Sequence, residues 1–87
     1  MNDPKEITAL ITGGSKGIGY GIAASLLKVG AQVAITSRSQ NAADKAVQAL
    51  SKIGSGKVIG IAADVRDFES QQSAVAKTLE DFGRLDV

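Results

Sequence analysis

The chain has 87 residues, with ten lysines and arginines against nine aspartates and glutamates, and a formal net charge of +1. This length allows one small domain, and the near balance of charge gives no support for a nucleic-acid or membrane-surface partner. The sequence has no cysteine and no histidine, which excludes disulfides and thiolate or imidazole metal sites and removes the commonest general base. No apolar run approaches the roughly 20 residues of a membrane span. The polar start MNDPKE is unlike a signal peptide, so we expect a cytoplasmic protein.

Three short apolar runs rich in β-branched residues predict strands at residues 7–12, 32–36 and 57–63. The runs are almost continuous rather than alternating, which is typical of parallel strands with both faces buried. The segments between and after them have a helical period, and each helix is expected to bury one apolar stripe. The stripes are Ile18, Ile22, Leu26 and Val29 in the first helix; Ala43, Ala46, Val47, Leu50 and Ile53 in the second; and Phe68, Val75, Leu79 and Phe82 in the third.

Residue types that commonly begin or end helices occur at the positions this division of the chain requires. Gly30, Gly54 and Gly83 follow the three periodic segments and predict helix ends, whereas Ser39 and Asp67 stand at N-cap positions. The order β-α-β-α-β-α is followed by RLDV, which resembles the start of a fourth strand. This order predicts the N-terminal portion of a Rossmann-like α/β fold with a doubly wound parallel sheet. Because the chain stops inside that strand, we expect residues 1–87 to be one incomplete domain.

The stretch TGGSKGIG, residues 12–19, connects the first strand to the first helix. In this fold the first β-α turn binds a dinucleotide pyrophosphate: glycines permit the tight turn, close phosphate approach and close helix packing, and free N–H groups at the helix start attract the anion. The spacing Gly13-x-x-x-Gly17-x-Gly19 differs from G-x-G-x-x-G and lacks the Gly-Lys-Ser/Thr of a nucleoside-triphosphatase loop. For the glycines alone, a structural turn without ligand is an equal alternative; their position between strand and helix favours a nucleotide.

TGGSKGIG resembles the TGxxxGxG motif of the short-chain dehydrogenase/reductase family, and the resemblance continues in order along the chain. ITALITGGSKGIG is similar to the first strand and glycine loop of the family, and QVAITSR to its second strand and cofactor-selecting end. Asp64-Val65 is similar to the acidic–aliphatic pair after the third strand, and FGRLDV to the lead-in to the fourth. The resemblance implies hydride transfer between a nicotinamide cofactor and a carbonyl or alcohol in a parent enzyme that is a homo-oligomer. The 3-oxoacyl-carrier-protein reductases are the most similar type.

The end of the second strand predicts the cofactor. An NAD-specific site usually has Asp or Glu there to bond the ribose 2′-hydroxyl. Residues 36–38 are instead Thr-Ser-Arg, and a guanidinium suits a 2′-phosphate. In the family, a basic residue at the position of Lys16 also marks NADP preference. For Lys16 or Arg38 alone the alternative is a solvated surface charge; together, with no acid present, they predict NADP.

Other cofactor contacts are implied by the resemblance. The carboxylate of Asp64 is expected to accept from the adenine amino group, with Val65 helping to wall the adenine; the alternative for Asp64 is a turn-forming residue. Ser15 and Ser37 are candidates to bond the ribose or the 2′-phosphate. The backbone N–H of Ile18 is a candidate for a phosphate oxygen, while its side chain is expected in the core.

The family's acid/base residues are a tyrosine with a lysine four residues later, a serine and an asparagine, which follow the start of the fourth strand. The one tyrosine, Tyr20, is followed four residues later by Ala24, and we interpret it as packing or surface. We therefore predict no catalytic residue and no metal ligand in this chain, which alone would be inactive. A small non-catalytic NADP-binding module and an inactive truncated product remain as alternatives. Because the first strand would be a sheet edge, we predict that the isolated chain is weakly stable and aggregation-prone.

Overall fold

The computed structural model describes residues 7–14, 17–54, 56–64 and 66–86. The elements alternate along the chain as β1 (Thr8–Ile11), α1 (Gly17–Lys28), β2 (Gln32–Ser37), α2 (Gln40–Leu50), β3 (Val58–Ala62) and α3 (Phe68–Phe82). The strands form one parallel sheet in the order β1-β2-β3. The predicted Rossmann-like α/β arrangement is confirmed. None of the helices in these ranges is long and apolar enough to cross a membrane.

The core lies between β2 and the pair of helices α1 and α2. These two helices contact each other and pack on β2, and α2 also packs on β3, whereas α3 packs on β1 and β2. Six buried residues make up the core cluster: Ala23, Leu27, Val33, Ile35, Ala46 and Leu50. Because the chain after α3 returns to the free edge of β1, a right-handed crossover places α3 on the opposite face of the sheet.

Burial on both strand faces was expected of all three strands, and this holds for β2 alone. Residues 33–36 of β2 are buried, because β2 is central and has helices on both faces. In β3 four residues are half-buried and Ala62 is exposed. The expectation is wrong for β3 because α3 packs on the other two strands and leaves one side of β3 open.

The predicted apolar stripe is confirmed for α2, whereas in α1 only Leu26 of the predicted stripe packs beside the core cluster. In α2 the buried residues are Ala43, Ala46 and Leu50, with Val47 and Ile53 packed beside the core cluster. In α1 the buried residues are instead Ala23 and Leu27, while three of the predicted residues are largely exposed: Ile18 at 85%, Val29 at 54% and Ile22 at 49%. Helix α1 is apolar on several faces, so its periodicity does not identify the buried one, and the small Ala23 allows close approach to the sheet.

The predicted stripe of α3 is also wrong. Phe68, Val75 and Leu79 are exposed by 75%, 36% and 45%, and the residues that dock the helix are Ala74 and Thr78. Thr78 can be buried because its Oγ1 donates to the carbonyl of Ala74 at 2.8 Å. The bulky apolar side of α3 therefore has no covering element in the described ranges.

Both predicted N-caps are confirmed. Ser39 Oγ accepts from the backbone N–H of Ala42 at 3.4 Å, and Asp67 Oδ1 accepts from that of Glu69 at 3.0 Å. These side chains satisfy helix-start N–H groups that have no carbonyl partner within the helix.

Two of the three predicted glycine ends are also confirmed. Gly83 caps α3 in the left-handed region, and Gly30 adopts the same region in the turn after α1. Gly54 is different, since α2 ends at Leu50, with Ser51 as its C-cap. A Cβ on Gly54 would lie 2.1 Å from the carbonyl oxygen of Leu27, so this glycine permits close packing against α1 instead of ending a helix.

The segment predicted to begin a fourth strand does not form a strand, but one of its residues is hydrogen-bonded to β1. Residues 84–86 are not a strand, but Asp86 N donates to the carbonyl of Thr8 at 2.9 Å, and Thr8 N donates to Asp86 Oδ2 at 2.9 Å. These bonds join the segment to β1 on the side away from β2. Val87 lies outside the described residues.

Candidate functional site

The glycine loop after β1 is tied to the end of β2 through one residue, Thr36. Gly13 N donates to Thr36 Oγ1 at 3.2 Å, and Gly14 N donates to the Thr36 carbonyl at 3.1 Å. The Thr36 side chain is fully buried. Sequence reasoning missed this residue, although a hydroxyl at the end of a buried strand must find a partner and was therefore a usable signal.

The three motif glycines have different steric roles. Gly13 and Gly17 have φ values of 69° and 67°, which favour glycine, and nothing lies within 4 Å of a Cβ built on either. A Cβ on Gly19 would lie 2.9 Å from the carbonyl oxygen of Gly13 and 3.1 Å from Gly14 Cα. Gly13 and Gly17 therefore shape the turn and leave open space beside it, while Gly19 lets α1 pack against the loop.

A fourth glycine in the loop was missed. A Cβ on Gly14 would lie 2.6 Å from Ile35 Cγ2, so Gly14 lets the loop pass over β2. The motif spacing does not include this position, and the close approach to Ile35 is a tertiary contact that a linear pattern cannot show.

The start of α1 suits an anion. Gly17 and Ile18 are exposed, the first turn has no acidic residue, and the first N–H groups of a helix lack partners within it. This turn lies next to the open space at Gly13 and Gly17. The exposed side chain of Ile18 corrects the expectation that it is in the core; its backbone N–H belongs to this first turn. Ser15 and Lys16, both predicted cofactor contacts, lie outside the described residues.

A cavity of about 610 Å³ opens where β2 ends, between α1 and α2. It brings together three of the predicted site residues, Gly13, Ser37 and Arg38. The remaining lining residues are one residue of α1, the N-cap of α2 and four residues along one side of α2: Tyr20, Ser39, Ala42, Lys45, Ala46 and Ala49. The lining thus contains two cations and no carboxylate, which makes it suited to a ligand with negative charge.

Arg38 is exposed and makes no hydrogen bond or ion pair with the rest of the described chain. The three exposed ion pairs in those ranges use other cations: Arg66, Lys77 and Arg84. The guanidinium of Arg38 therefore retains its donors for a ligand.

The carboxylate of Asp64 forms hydrogen bonds with Arg66, and Asp64 does not line the cavity. Its Oδ1 accepts from Arg66 N at 2.9 Å and from Arg66 Nε at 3.1 Å, and its Oδ2 accepts from a terminal guanidinium nitrogen at 3.0 Å. These side-chain and backbone bonds lower the pKa of Asp64 to about 2, with a smaller contribution from the charge of Arg38. The bond from Arg66 N is the geometry of the turn-forming alternative.

The adenine role predicted for Asp64 remains a prediction. Each carboxylate oxygen has two acceptor positions, so the bonds from Arg66 leave acceptor capacity on Oδ2. Val65, its predicted partner at the adenine, lies outside the described residues.

Tyr20 and clusters of carboxylates are the remaining candidates for catalysis or metal binding. Tyr20 is half-buried, packs against the core cluster and lines the cavity, in agreement with a packing role. Over the ranges that the structure describes, no group of three or more Asp or Glu residues could hold a metal ion.

Comparisons with known proteins give the family. The short chain dehydrogenase family model matches residues 7–87. Peroxisomal 2,4-dienoyl-CoA reductase of Arabidopsis thaliana is 43% identical over 79 residues, which cover 91% of this chain and 26% of that protein. A short chain dehydrogenase from Bacillus anthracis superposes with a TM-score of 0.87 at 34% identity, over 98% of this chain and 34% of that one.

A third relative was solved with ligands. L-sorbose reductase from Gluconobacter frateurii, in complex with NADPH and L-sorbose, superposes with a TM-score of 0.86 at 31% identity, over 92% of this chain and 30% of that one. The chain therefore spans about a third or less of the length of these relatives. With the glycine loop at the first β-α turn and a family match over almost its whole length, the chain belongs to the short-chain dehydrogenase/reductase family of oxidoreductases.

Proposed function

We propose that this chain is the NADP-binding part of an oxidoreductase that transfers hydride between NADP(H) and a carbonyl or alcohol substrate. The observation that carries the cofactor choice is the lining of the cavity at the end of β2. Arg38 contributes a guanidinium to it, and no lining residue is acidic. A carboxylate there would bond a ribose 2′-hydroxyl and repel a 2′-phosphate, whereas a guanidinium binds phosphate with charge-assisted hydrogen bonds.

The geometry of the loop supports the same ligand. Because Gly13 and Arg38 line one cavity, a pyrophosphate beside the loop and a 2′-phosphate at the end of β2 would belong to one dinucleotide. Thr36 links these two segments by hydrogen bonds to Gly13 and Gly14. When bound, NADP would supply the hydride chemistry; the residues of this chain bind and orient the cofactor.

The catalytic residues are proposed to lie beyond residue 87 of a single NADP-binding domain. The three relatives are about three times as long as this chain, and the sequence has no tyrosine followed four residues later by lysine. We therefore expect no reductase turnover from the 87 residues alone. A homo-oligomeric, cytoplasmic parent enzyme with a substrate of the 3-oxoacyl-carrier-protein type remains a prediction of the sequence resemblance.

The test is a pair of fluorescence titrations, with NADPH and with NADH, on the full chain as expressed from its own gene. Wild-type protein should bind NADPH more tightly. Arg38→Asp should weaken NADPH binding by about ten- to a hundredfold, the loss of a hydrogen bond to a charged group, and should improve NADH binding relative to NADPH.

Lys52→Asp is the matched control, because it makes the same charge change in the turn after α2, at an exposed residue outside the cavity lining. It should leave the preference for NADPH intact. Equal affinity of the wild-type protein for NADPH and NADH would show that the assignment of NADP is wrong.

A further inference from the structure

A second cation, Lys45, lines the same cavity as Arg38. We propose that Lys45 supplies further positive charge to the 2′-phosphate of NADP and so contributes to cofactor selection. This inference rests on the proposed function, and it concerns a residue of α2 that lies outside both the glycine motif and the end of β2.

The direction of the helix supports this placement. Long side chains on an α-helix point back toward its N-terminus and lie over the preceding turn. For Lys45 in α2 (Gln40–Leu50), that direction leads toward Ser39 and Arg38 at the end of β2. The alanines on the same side of α2, Ala42, Ala46 and Ala49, also line the cavity. Their small side chains leave the space that the lysine stem and a ligand would share.

The charge of Lys45 is not neutralised locally. The side chain of Lys45 makes no hydrogen bond or ion pair over the described ranges. The acidic neighbour on its own helix, Asp44, accepts instead from Gln40 Nε2 at 2.8 Å. Across the cavity, the α1 side is formed by Tyr20, which offers no carboxylate.

Two cations on one cavity repel each other, and a dianionic phosphate bound there would add an attraction to each of them that outweighs this repulsion. Of the other cations in the described ranges, Arg66, Lys77 and Arg84 lie within 3.3 Å of a carboxylate oxygen, whereas Lys28, Lys52 and Lys57 have no ion pair and do not line the cavity. What distinguishes Arg38 and Lys45 is that they share one cavity whose lining has no carboxylate, as expected where an anion completes the site.

The experiment compares Lys45→Met with Lys52→Met in the full chain, using NADPH and NADH as paired probes. Both variants remove one positive charge, but Lys52 does not line the cavity. Lys45→Met should raise the ratio of the NADPH to the NADH dissociation constant by about three- to tenfold, as expected for a partly exposed charge acting on a phosphate. Lys45→Arg should restore most of the wild-type ratio.

A second readout separates charge from packing. For wild-type protein, affinity for adenosine 2′,5′-bisphosphate should fall more steeply with added salt than affinity for ADP, and Lys45→Met should reduce that difference. Discrimination that is lost in Arg38→Asp but is the same in Lys45→Met as in Lys52→Met would overturn the role of Lys45 and leave the NADP assignment standing. Equal binding of NADPH and NADH by wild-type protein would overturn both.

Discussion

The backbone N–H of Gly13 donates a hydrogen bond to the buried hydroxyl of Thr36, with 3.2 Å between Gly13 N and Thr36 Oγ1. This bond joins the first glycine of the motif to β2, which ends at Ser37 and is followed by Arg38. Together with the bond from Gly14 N to the Thr36 carbonyl at 3.1 Å, it holds the loop against the end of β2, next to the residues proposed to select the cofactor.

Replacing Thr36 should disturb both features. Thr36→Val keeps the shape of the side chain but leaves the Gly13 N–H without its acceptor, so we expect the free energy of unfolding to fall by about 1–3 kcal/mol and NADPH binding to weaken. Urea unfolding and NADPH titration measure these effects. Thr36→Ser retains the hydroxyl and should lose less than the valine variant; an equal loss in the two variants would indicate that packing, not the hydrogen bond, is responsible.

Two glycines of α1 offer a matched pair for testing close packing at the loop. Gly19→Ala brings a Cβ to 2.9 Å from the backbone oxygen of Gly13, whereas nothing lies within 4 Å of a Cβ on Gly21. Gly19→Ala should lower the free energy of unfolding by about 1–3 kcal/mol, typical of overpacking. Gly21→Ala should raise it by about 0.5–1 kcal/mol through helix propensity alone. Thermal unfolding compares the two, and a stable Gly19→Ala variant with unchanged NADPH affinity would contradict the packing role.

Much of the fold could be predicted because local signals agreed with one another. β-Branched runs, the caps Ser39 and Asp67, and the left-handed glycines Gly30 and Gly83 are short-range features, and the structure has all of them. The buried faces of α1 and α3 could not be predicted in this way. Helix α1 is apolar on more than one side, and in both helices the sheet packs against small residues that allow close approach, such as Ala23 and Ala74, rather than against the bulky residues of the predicted stripe.

The candidate site could also be predicted in part, where short sequence motifs mark its residues. The motif located the loop, and the end of β2 indicated Ser37 and Arg38, which line the cavity with Gly13. Thr36 and Lys45 were missed because their relation to the loop and the cavity depends on the spatial arrangement of β2 and α2. Likewise, the pairing of Asp64 with Arg66 depends on the conformation of the turn before α3.

Acid should remove the contribution of Asp64 to stability. The pKa of this carboxyl is lowered from 3.8 to about 2, first by the Arg66 side chain and then by the Arg66 backbone N–H. A group with a depressed folded-state pKa stabilises the fold above its unfolded pKa and loses that effect as the pH falls through the folded value. The pH-dependent part of the stability difference between wild type and Asp64→Asn should therefore be constant at neutral pH, begin to shrink at about pH 5 and be lost only as the pH falls below the folded-state value of about 2.

Urea unfolding across this pH range makes the comparison, and Arg66→Met is the control background. Without the guanidinium the largest contribution to the pKa shift should disappear while that of the backbone N–H of residue 66 remains, so Asp64→Asn should have a smaller pH-dependent effect in Arg66→Met than in wild type. A difference that persists unchanged in that background would assign the depressed pKa to other groups.

The apolar side of α3 should govern the behaviour of the 87-residue chain in solution. Phe68, Val75 and Leu79 are exposed and line one surface groove of about 410 Å³, and a contiguous exposed apolar patch promotes association. We expect self-association that rises with protein concentration, and the double variant Phe68→Ser/Leu79→Gln should reduce it. Because both side chains are already exposed, by 75% and 45%, the free energy of unfolding should change little.

Sedimentation velocity at several concentrations measures the association, and urea unfolding measures the stability. Leu27→Ala is the contrasting variant: Leu27 is fully buried, so it should lower the free energy of unfolding by about 2–5 kcal/mol without removing the exposed patch. A wild-type chain that stays monomeric at high concentration and unfolds in one sharp, reversible transition would contradict the predicted weak stability and aggregation. It would also show that the open side of α3 is tolerated in water.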